Sequence, residues 1–293
     1  MQLSKLGVWT FLDGLSAAES AAFVRRVEEL GYSALWMPEA VGRDPFALIG
    51  YLCGHSQRLI FATGIANIYA RDAMTMRACQ KTLAEASGGR FLLGIGVSHV
   101  HLVSKLRGHT YQKPLAAMRA YLDTLEGALY RGPETAEKAP IVLAALGPKM
   151  LALATELTRG AHSYLVPPEH TARAREILGK GAWLCPEQKV LLETNPAKAR
   201  EIGRKAIAIY VGLPNYQNNL KWLGFDDADF QNGGSNRLVD ALVAWGDEDA
   251  IAERIQAHWD AGADHVAIQP LRADGEPKPD LRTLEHLAPL IQR

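Results

Sequence analysis

The sequence predicts an α/β fold, a (β/α)8 TIM-type barrel with helical insertions placed mainly after the seventh strand. Three observations carry this prediction. Short apolar runs recur eight times, and most are near-continuous rather than alternating, as in parallel strands buried on both faces. A segment of helical period follows almost every run. Finally, no linker or composition break divides the 293 residues, which accommodate a single barrel of about 250 residues plus insertions. One domain over residues 1–293 is therefore expected.

The elements follow in order. Leu6–Phe11 is the first strand. Ser16 opens a Ser-Ala-Ala-Glu capping box, and the helix runs to Gly31 as its stop. Ala34–Pro38 is the second strand, and Asp44-Pro45 starts a helix ending near Ser56. Leu59–Ile65 is the third, followed by a helix from Asp72 to Ser87 that Gly88-Gly89 closes. Phe91–Val97, Ile141–Leu146, Ala161–Val166, Lys189–Thr194 and His265–Gln269 complete the eight strands. Their helices lie at Pro114–Tyr130, Lys149–Arg159, Thr171–Leu178, Pro196–Val211 and Asp247–Gly262, with a last one at Leu281–Arg293. The excess length sits at Gly212–Gly246, read as a helical insertion, and at Leu106–Pro114. A doubly wound sheet would need an early phosphate loop, and Phe11-Leu12-Asp13-Gly14-Leu15 is not G-x-G-x-x-G.

Composition narrows the function. Lys+Arg and Asp+Glu both number 32, so no basic excess exists to neutralise a nucleic acid. Cys53, Cys79 and Cys185 form neither a zinc pattern nor a disulfide framework, and a reducing cytoplasm is expected. The N-terminal residues lack a basic segment followed by an apolar stretch, and no apolar run is long enough to span a membrane. No Walker A or G-x-S-x-G motif occurs, and no metal set is expected.

Candidate chemistry gathers at the strand ends, where barrels carry their sites. The most informative stretch is Pro140–Arg159, in which an apolar run meets Gly147-Pro148-Lys149 and a helix begins at once. Free N–H groups, the helix dipole and the lysine charge make an anion cradle; the alternative is an ordinary turn with a solvated lysine. Thr63-Gly64-Ile65 ends strand three, where glycine permits close approach of a flat ligand or simply ends the strand. Gly94 and Gly96 in strand four either clear room for a ring system or relieve crowding between strands. Ser98, His99 and His101 follow in a polar loop, where imidazoles are either solvated or act as acid and base. Glu39 ends strand two, as a catalytic carboxylate or a cap. Trp9 is a core or pocket-floor residue.

Taken in order, Gly31-Tyr32, Leu35 to Glu39, Phe61 to Ile65, Ser87 to Gly96 and Ala145 to Met150 resemble the bacterial luciferase-like flavin and deazaflavin oxidoreductases. Tyr210–Phe225 is similar to an actinobacterial subgroup labelled coenzyme F420-dependent oxidoreductases. The resemblance implies a homodimeric TIM-type barrel with the ring at the C-terminal mouth and a non-proline cis peptide at Gly64–Ile65. It also implies that the cofactor phosphate sits at Leu146, Gly147, Pro148, Lys149 and Met150, with Leu165, Val166 and Pro167 closing that side.

The chain departs from the family pattern at three places. Ala40 replaces a histidine, Val97 replaces a glutamate, and Arg71-Asp72-Ala73 replaces Arg-His-Pro. The catalytic acid or base is therefore not carried over, and Glu39 and His99 are the local candidates. The expected activity is hydride transfer between coenzyme F420 and a small organic substrate. An FMN-dependent monooxygenase and a cofactor-free binding barrel are the alternatives. His109, Tyr111, Tyr216, Trp222 and Phe225 in the insertions either line a pocket or serve packing and dimer contacts.

Overall fold

The computed structural model describes residues 1–276 and 278–292. Its elements are β1 (Leu6–Trp9), α1 (Ala17–Glu29), β2 (Ala34–Met37), α2 (Pro45–Leu52), β3 (Ile60–Thr63), β4 (Ala66–Asn67), α3 (Ala73–Ala86), β5 (Phe91–Gly96) and α4 (Pro114–Gly127). There follow β6 (Ile141–Ala144), α5 (Pro148–Leu157), β7 (Gly160–His162), α6 (Pro168–Leu178), β8 (Trp183–Leu184), β9 (Glu187–Leu192) and α7 (Pro196–Val211). The chain ends with α8 (Pro214–Trp222), α9 (Asn236–Leu242), β10 (Val243–Gly246), α10 (Glu248–Asp260), β11 (Val266–Pro270) and α11 (Leu281–Leu287).

Every strand pairing is parallel, in the order β10-β9-β11-β1-β2-β3-β5-β6-β7-β8, with β4 beside β5. The order closes through β8 and β9. Cys185 and Glu187 donate their N–H groups to Ala161 and Ser163 of one neighbour, and Ala267 donates to Pro186 from the other. β8 and β9 are thus two halves of one strand interrupted at Cys185-Pro186, and the sheet curls into the expected TIM-like barrel. Trp9, Ala34, Trp36, Ile60, Ala62, Leu92, Val142, Cys185 and Ala267 fill its interior. The alternate residues, such as Leu6, Val8, Leu35, Phe61 and Leu93, pack outward against the helices. Burial on both faces explains the continuous apolar runs.

Local rules hold where they were strongest. Ser16 and Glu19 form the reciprocal capping box, Asp44 caps α2 with Pro45 in its first turn, and α7 spans Pro196–Val211 as expected. Three expectations need correction. The seventh strand starts earlier, at Trp183, because its first half pairs with β7 before the kink. The Gly212–Gly246 insertion is not wholly helical: Val243–Gly246 forms β10 on the outer side of β9, since its apolar run finds a free strand edge there. The C-terminal segment is α11 followed by a 3-10 turn to Gln292, and Arg293 lies outside the described residues. Among the described residues no helix is long and apolar enough to cross a membrane, and no cluster of potential metal ligands occurs.

Candidate functional site

The C-terminal ends of the strands form a mouth. The peptide Gly64–Ile65, just beyond β3, is cis, as the resemblance implied. Gly64 N–H donates to Met37 O at 2.8 Å, Glu39 N–H donates to Ile65 O at 3.1 Å, and the Trp9 indole N–H donates to Gly64 O at 2.9 Å. Trp9 is therefore a floor beneath this turn, 2% exposed. The Thr63 hydroxyl donates to Gly94 O at 2.7 Å and accepts from Gly94 N–H at 2.9 Å, clasping β3 to β5.

The structure shows what the glycines of β5 make room for. A Cβ on Gly94 would lie 2.0 Å from Thr63 O, and one on Gly96 would lie 2.8 Å from Ile65 Cδ1 and 2.9 Å from Ala144 Cβ. The nearest space they leave is filled by the chain itself. The same contacts bring Ile65 and the end of β6 to one point, so the cis turn and the loop after β6 share one side of the mouth.

Gly147 differs. It precedes α5 with φ −90°, an ordinary value, and a Cβ there would meet nothing within 4 Å. No side chain caps α5, Pro148 begins it, and Pro148 and Lys149 are exposed. Met150 N–H turns back to Gly147 O at 3.1 Å. Leu146 O accepts from the buried His170 at 2.8 Å, which holds the loop from behind. The helix start is open and bordered by backbone.

Two non-glycine residues at the mouth, Ser98 and Leu165, have left-handed φ of 57°. Such backbone is uncommon and gathers at functional sites. Leu165 N–H donates to Glu187 Oε2 at 2.9 Å, while Val166 and Pro167 are buried and lead into α6.

Glu39 and His99 stand apart. Both Glu39 oxygens are engaged by the Arg71 guanidinium at 2.7 and 2.9 Å, and Asn67 N–H donates to Oε2 at 2.7 Å. The ring of His99 faces Tyr216 of α8, with centroids 5.8 Å apart. Burial holds its pKa below the usual imidazole value, against the opposing effect of a hydrogen bond with Asn215. Of the other insertion residues, Tyr111 bonds Ser98 O at 3.2 Å and stacks near Tyr69, whereas Trp222 packs under Arg173.

Sequence reasoning missed a polar cluster inside the barrel. Lys189 Nζ is 2.8 Å from Tyr164 Oη, 2.9 Å from Gln269 Oε1 and 3.3 Å from Glu187 Oε1. Tyr164 Oη is also 3.1 Å from Tyr210 Oη. Burial pushes the Lys189 pKa down and the Glu187 pKa up, each opposed by the other's charge. The available signal was two charges spaced i, i+2 beside an apolar run, which places both on one strand face.

Comparison with known proteins assigns the class. The family model described as "Luciferase-like monooxygenase" matches residues 3–265, and the chain belongs to that family. The relatives give the particulars. The chain is 30% identical over 207 residues to "Putative coenzyme F420-dependent oxidoreductase Rv3520c" of Mycobacterium tuberculosis, covering 60% of this chain and 59% of that protein. It is 30% identical over 157 residues to 5,10-methylenetetrahydromethanopterin reductase of Methanolobus tindarius, covering 48% of each. The chain thus spans less than two thirds of either relative. Among solved structures, the coenzyme F420-dependent tetrahydromethanopterin reductase of Methanopyrus kandleri superposes with a TM-score of 0.73 at 17% identity, covering 98% of this chain and 97% of that one. An FMN complex of a type II Baeyer-Villiger monooxygenase from Pseudomonas putida gives 0.70 at 15% identity, covering 98% of each chain. Both share the fold.

Proposed function

We propose that this protein is a cytoplasmic, homodimeric oxidoreductase that transfers hydride between coenzyme F420 and a small organic substrate. The observation that carries the proposal is the pairing of an open, uncapped cradle at Gly147–Met150 with the Gly64–Ile65 turn on one side of the mouth. A phosphate-bearing tricyclic ring matches that pairing, and the name of the Mycobacterium tuberculosis relative favours the deazaflavin. Gly147 and Lys149 bind the phosphate through backbone N–H groups and the lysine charge, while Pro148 shapes the turn without donating and Met150, its N–H turned to Gly147 O, borders the cradle. Leu165, Val166 and Pro167 close the phosphate side. Ile65 would hold the ring, buttressed by Gly64 and the Trp9 indole that bonds its carbonyl. When bound, the reduced deazaflavin supplies the hydride, and the protein orients it and excludes water. Glu39 fixes the Asn67–Arg71 segment rather than moving a proton, because its oxygens are committed. His99, neutral by burial, faces the substrate side with Tyr216.

The test is a fluorescence and absorption titration of the purified protein with coenzyme F420 and with FMN. Tight binding of coenzyme F420, weakened by Gly147→Asp with the melting temperature retained, supports the proposal. Preference for FMN would indicate a monooxygenase, and no response to either would indicate a barrel without cofactor; each outcome defeats the proposal. Light scattering tests the dimer.

A further inference from the structure

We infer that Tyr210 is the proton donor of this enzyme, recharged by Lys189 through Tyr164, and that its substrate is an uncharged aromatic or conjugated carbonyl compound. The inference rests on the hydride-transfer reading above.

Lys189 is 1% exposed, and its three N–H bonds have three acceptors: Tyr164, Gln269 and Glu187. An ammonium has no lone pair, so Tyr164 Oη must accept from it. The Tyr164 proton is shared between Gln269 Oε1 at 3.0 Å and Tyr210 Oη at 3.1 Å. A tyrosinate at position 210 would therefore receive a hydrogen bond from Tyr164, which in turn receives one from an ammonium. The ammonium also lies 4.2 Å from the Tyr164 ring centroid and 5.4 Å from that of Tyr210. Glu187, 3.3 Å away, opposes the loss of the buried lysine's charge and, through Leu165 N–H, ties the cluster to the phosphate side of the mouth.

The cluster also reaches the ring side. Tyr164 lies 4.9 Å from Trp9, whose indole holds Gly64 O. Tyr210 lies in the last turn of α7, beyond β9, and is partly exposed, whereas Lys189 and Tyr216 are buried. Trp9, Phe11, Tyr164, Tyr210 and Tyr216 make the surroundings aromatic, with centroid separations of 4.9 to 6.5 Å. Lys189 is balanced by Glu187, so this side offers no net charge to an ionic substrate. It offers flat apolar walls and one hydroxyl backed by a cation. Ala40 and Val97 stand where the resemblance implied a histidine and a glutamate, Glu39 is bound to Arg71, and burial disfavours the protonated form of His99, which leaves Tyr210 as the donor backed by Lys189.

In the step, the carbonyl π bond of the substrate breaks. Its carbon receives the hydride from the reduced deazaflavin, and its oxygen takes the Tyr210 proton. A C–H and an O–H bond form, and the substrate gains the two electrons that the deazaflavin loses. Lys189 passes a proton through Tyr164 to Tyr210, and water returns one along the same hydroxyls after the product leaves. The titratable groups facing this route are Glu187, Lys189, Tyr164 and Tyr216, with His99 beyond Tyr216.

The test uses 4-nitrophenol, a flat oxyanion mimic whose colour reports its protonation, with and without coenzyme F420. The wild-type protein should bind it as the phenolate at a pH where the free compound is largely neutral. Tyr210→Phe should weaken phenolate binding about tenfold, the loss of one charge-assisted hydrogen bond. Tyr164→Phe, and Lys189→Met combined with Glu187→Gln, should return the bound probe toward its neutral form. Failure of the probe to bind, binding without a shift toward phenolate, or an unchanged Tyr210→Phe would overturn the inference. The coenzyme F420 titration is read separately. If that titration fails while the nitrophenol pattern holds, the cofactor reading falls and the donor site stands.

Discussion

Trp9 and Gly64 hold each other in place: the indole N–H donates to the glycine carbonyl at 2.9 Å, and a Cβ on Gly64 would lie 2.6 Å from the same indole nitrogen. The floor of the mouth thus admits neither a larger residue at 64 nor loss of the donor at 9. Trp9→Phe leaves a buried carbonyl without this partner, at about 1–3 kcal/mol. A denaturant melt should show that loss, and coenzyme F420 affinity should fall with it. An unchanged melt would mean that the hydrogen bond does not support the floor.

The glycines at 94 and 147 should answer substitution in opposite ways. Gly94→Ala drives a methyl into Thr63 O, and we expect a loss of about 3 kcal/mol or more, seen as a lowered midpoint or insolubility. Gly147→Ala meets open space at a permitted φ, so stability should change by no more than about 0.5 kcal/mol. Its effect should appear in ligand affinity. A large fall in the melting temperature of Gly147→Ala would show that the loop is packed rather than open.

Glu39→Gln separates a structural carboxylate from a catalytic one. The Glu39 and Arg71 side chains are 6% and 10% exposed, and removing the Glu39 charge leaves the guanidinium only Asp44 at 2.8 Å, at about 1–3 kcal/mol. Thermal unfolding should move down, with coenzyme F420 affinity changed only a few-fold. A variant as stable as wild type yet devoid of turnover would reassign Glu39 to proton transfer.

Four histidines make the fold acid-sensitive. Burial lowers the pKa of His162, His170 and His265 from the usual 6.5 to about 4, and that of His258 to about 3. Because the folded values lie below the unfolded one, the stability from keeping these rings neutral is full above pH 6.5. It is lost as pH falls from there toward 4, each ring contributing up to about 1.4 kcal/mol per pH unit. Urea midpoints measured through this window should drop steeply. A flat profile would show that the rings are protonated in the folded protein.

The site was legible in part. The helix start at Gly147 could be read because its signals are adjacent in sequence. Thr63-Gly64-Ile65 could be placed at the mouth by its position at a strand end. The reason for Gly94 could not be read, since the atom it avoids, Thr63 O, comes from another strand. The Lys189 cluster was overlooked for the same reason. Its members lie on β9, β11, α7 and the loop after β7, and the charges meet only when the barrel closes.

By itself the sequence determined the eight apolar runs, their helices and caps, and hence the parallel barrel, because periodicity and capping are local. It also placed the strand-to-helix turn at Gly147–Lys149, where α5 starts. Tertiary structure alone decided that Val243–Gly246 is a strand, that Glu39 is spent on Arg71, and that Lys189 sits beneath two tyrosines. Each of those outcomes depends on which strand edge, counter-charge or ring lies within a few ångströms. Only closure of the sheet brings those partners together.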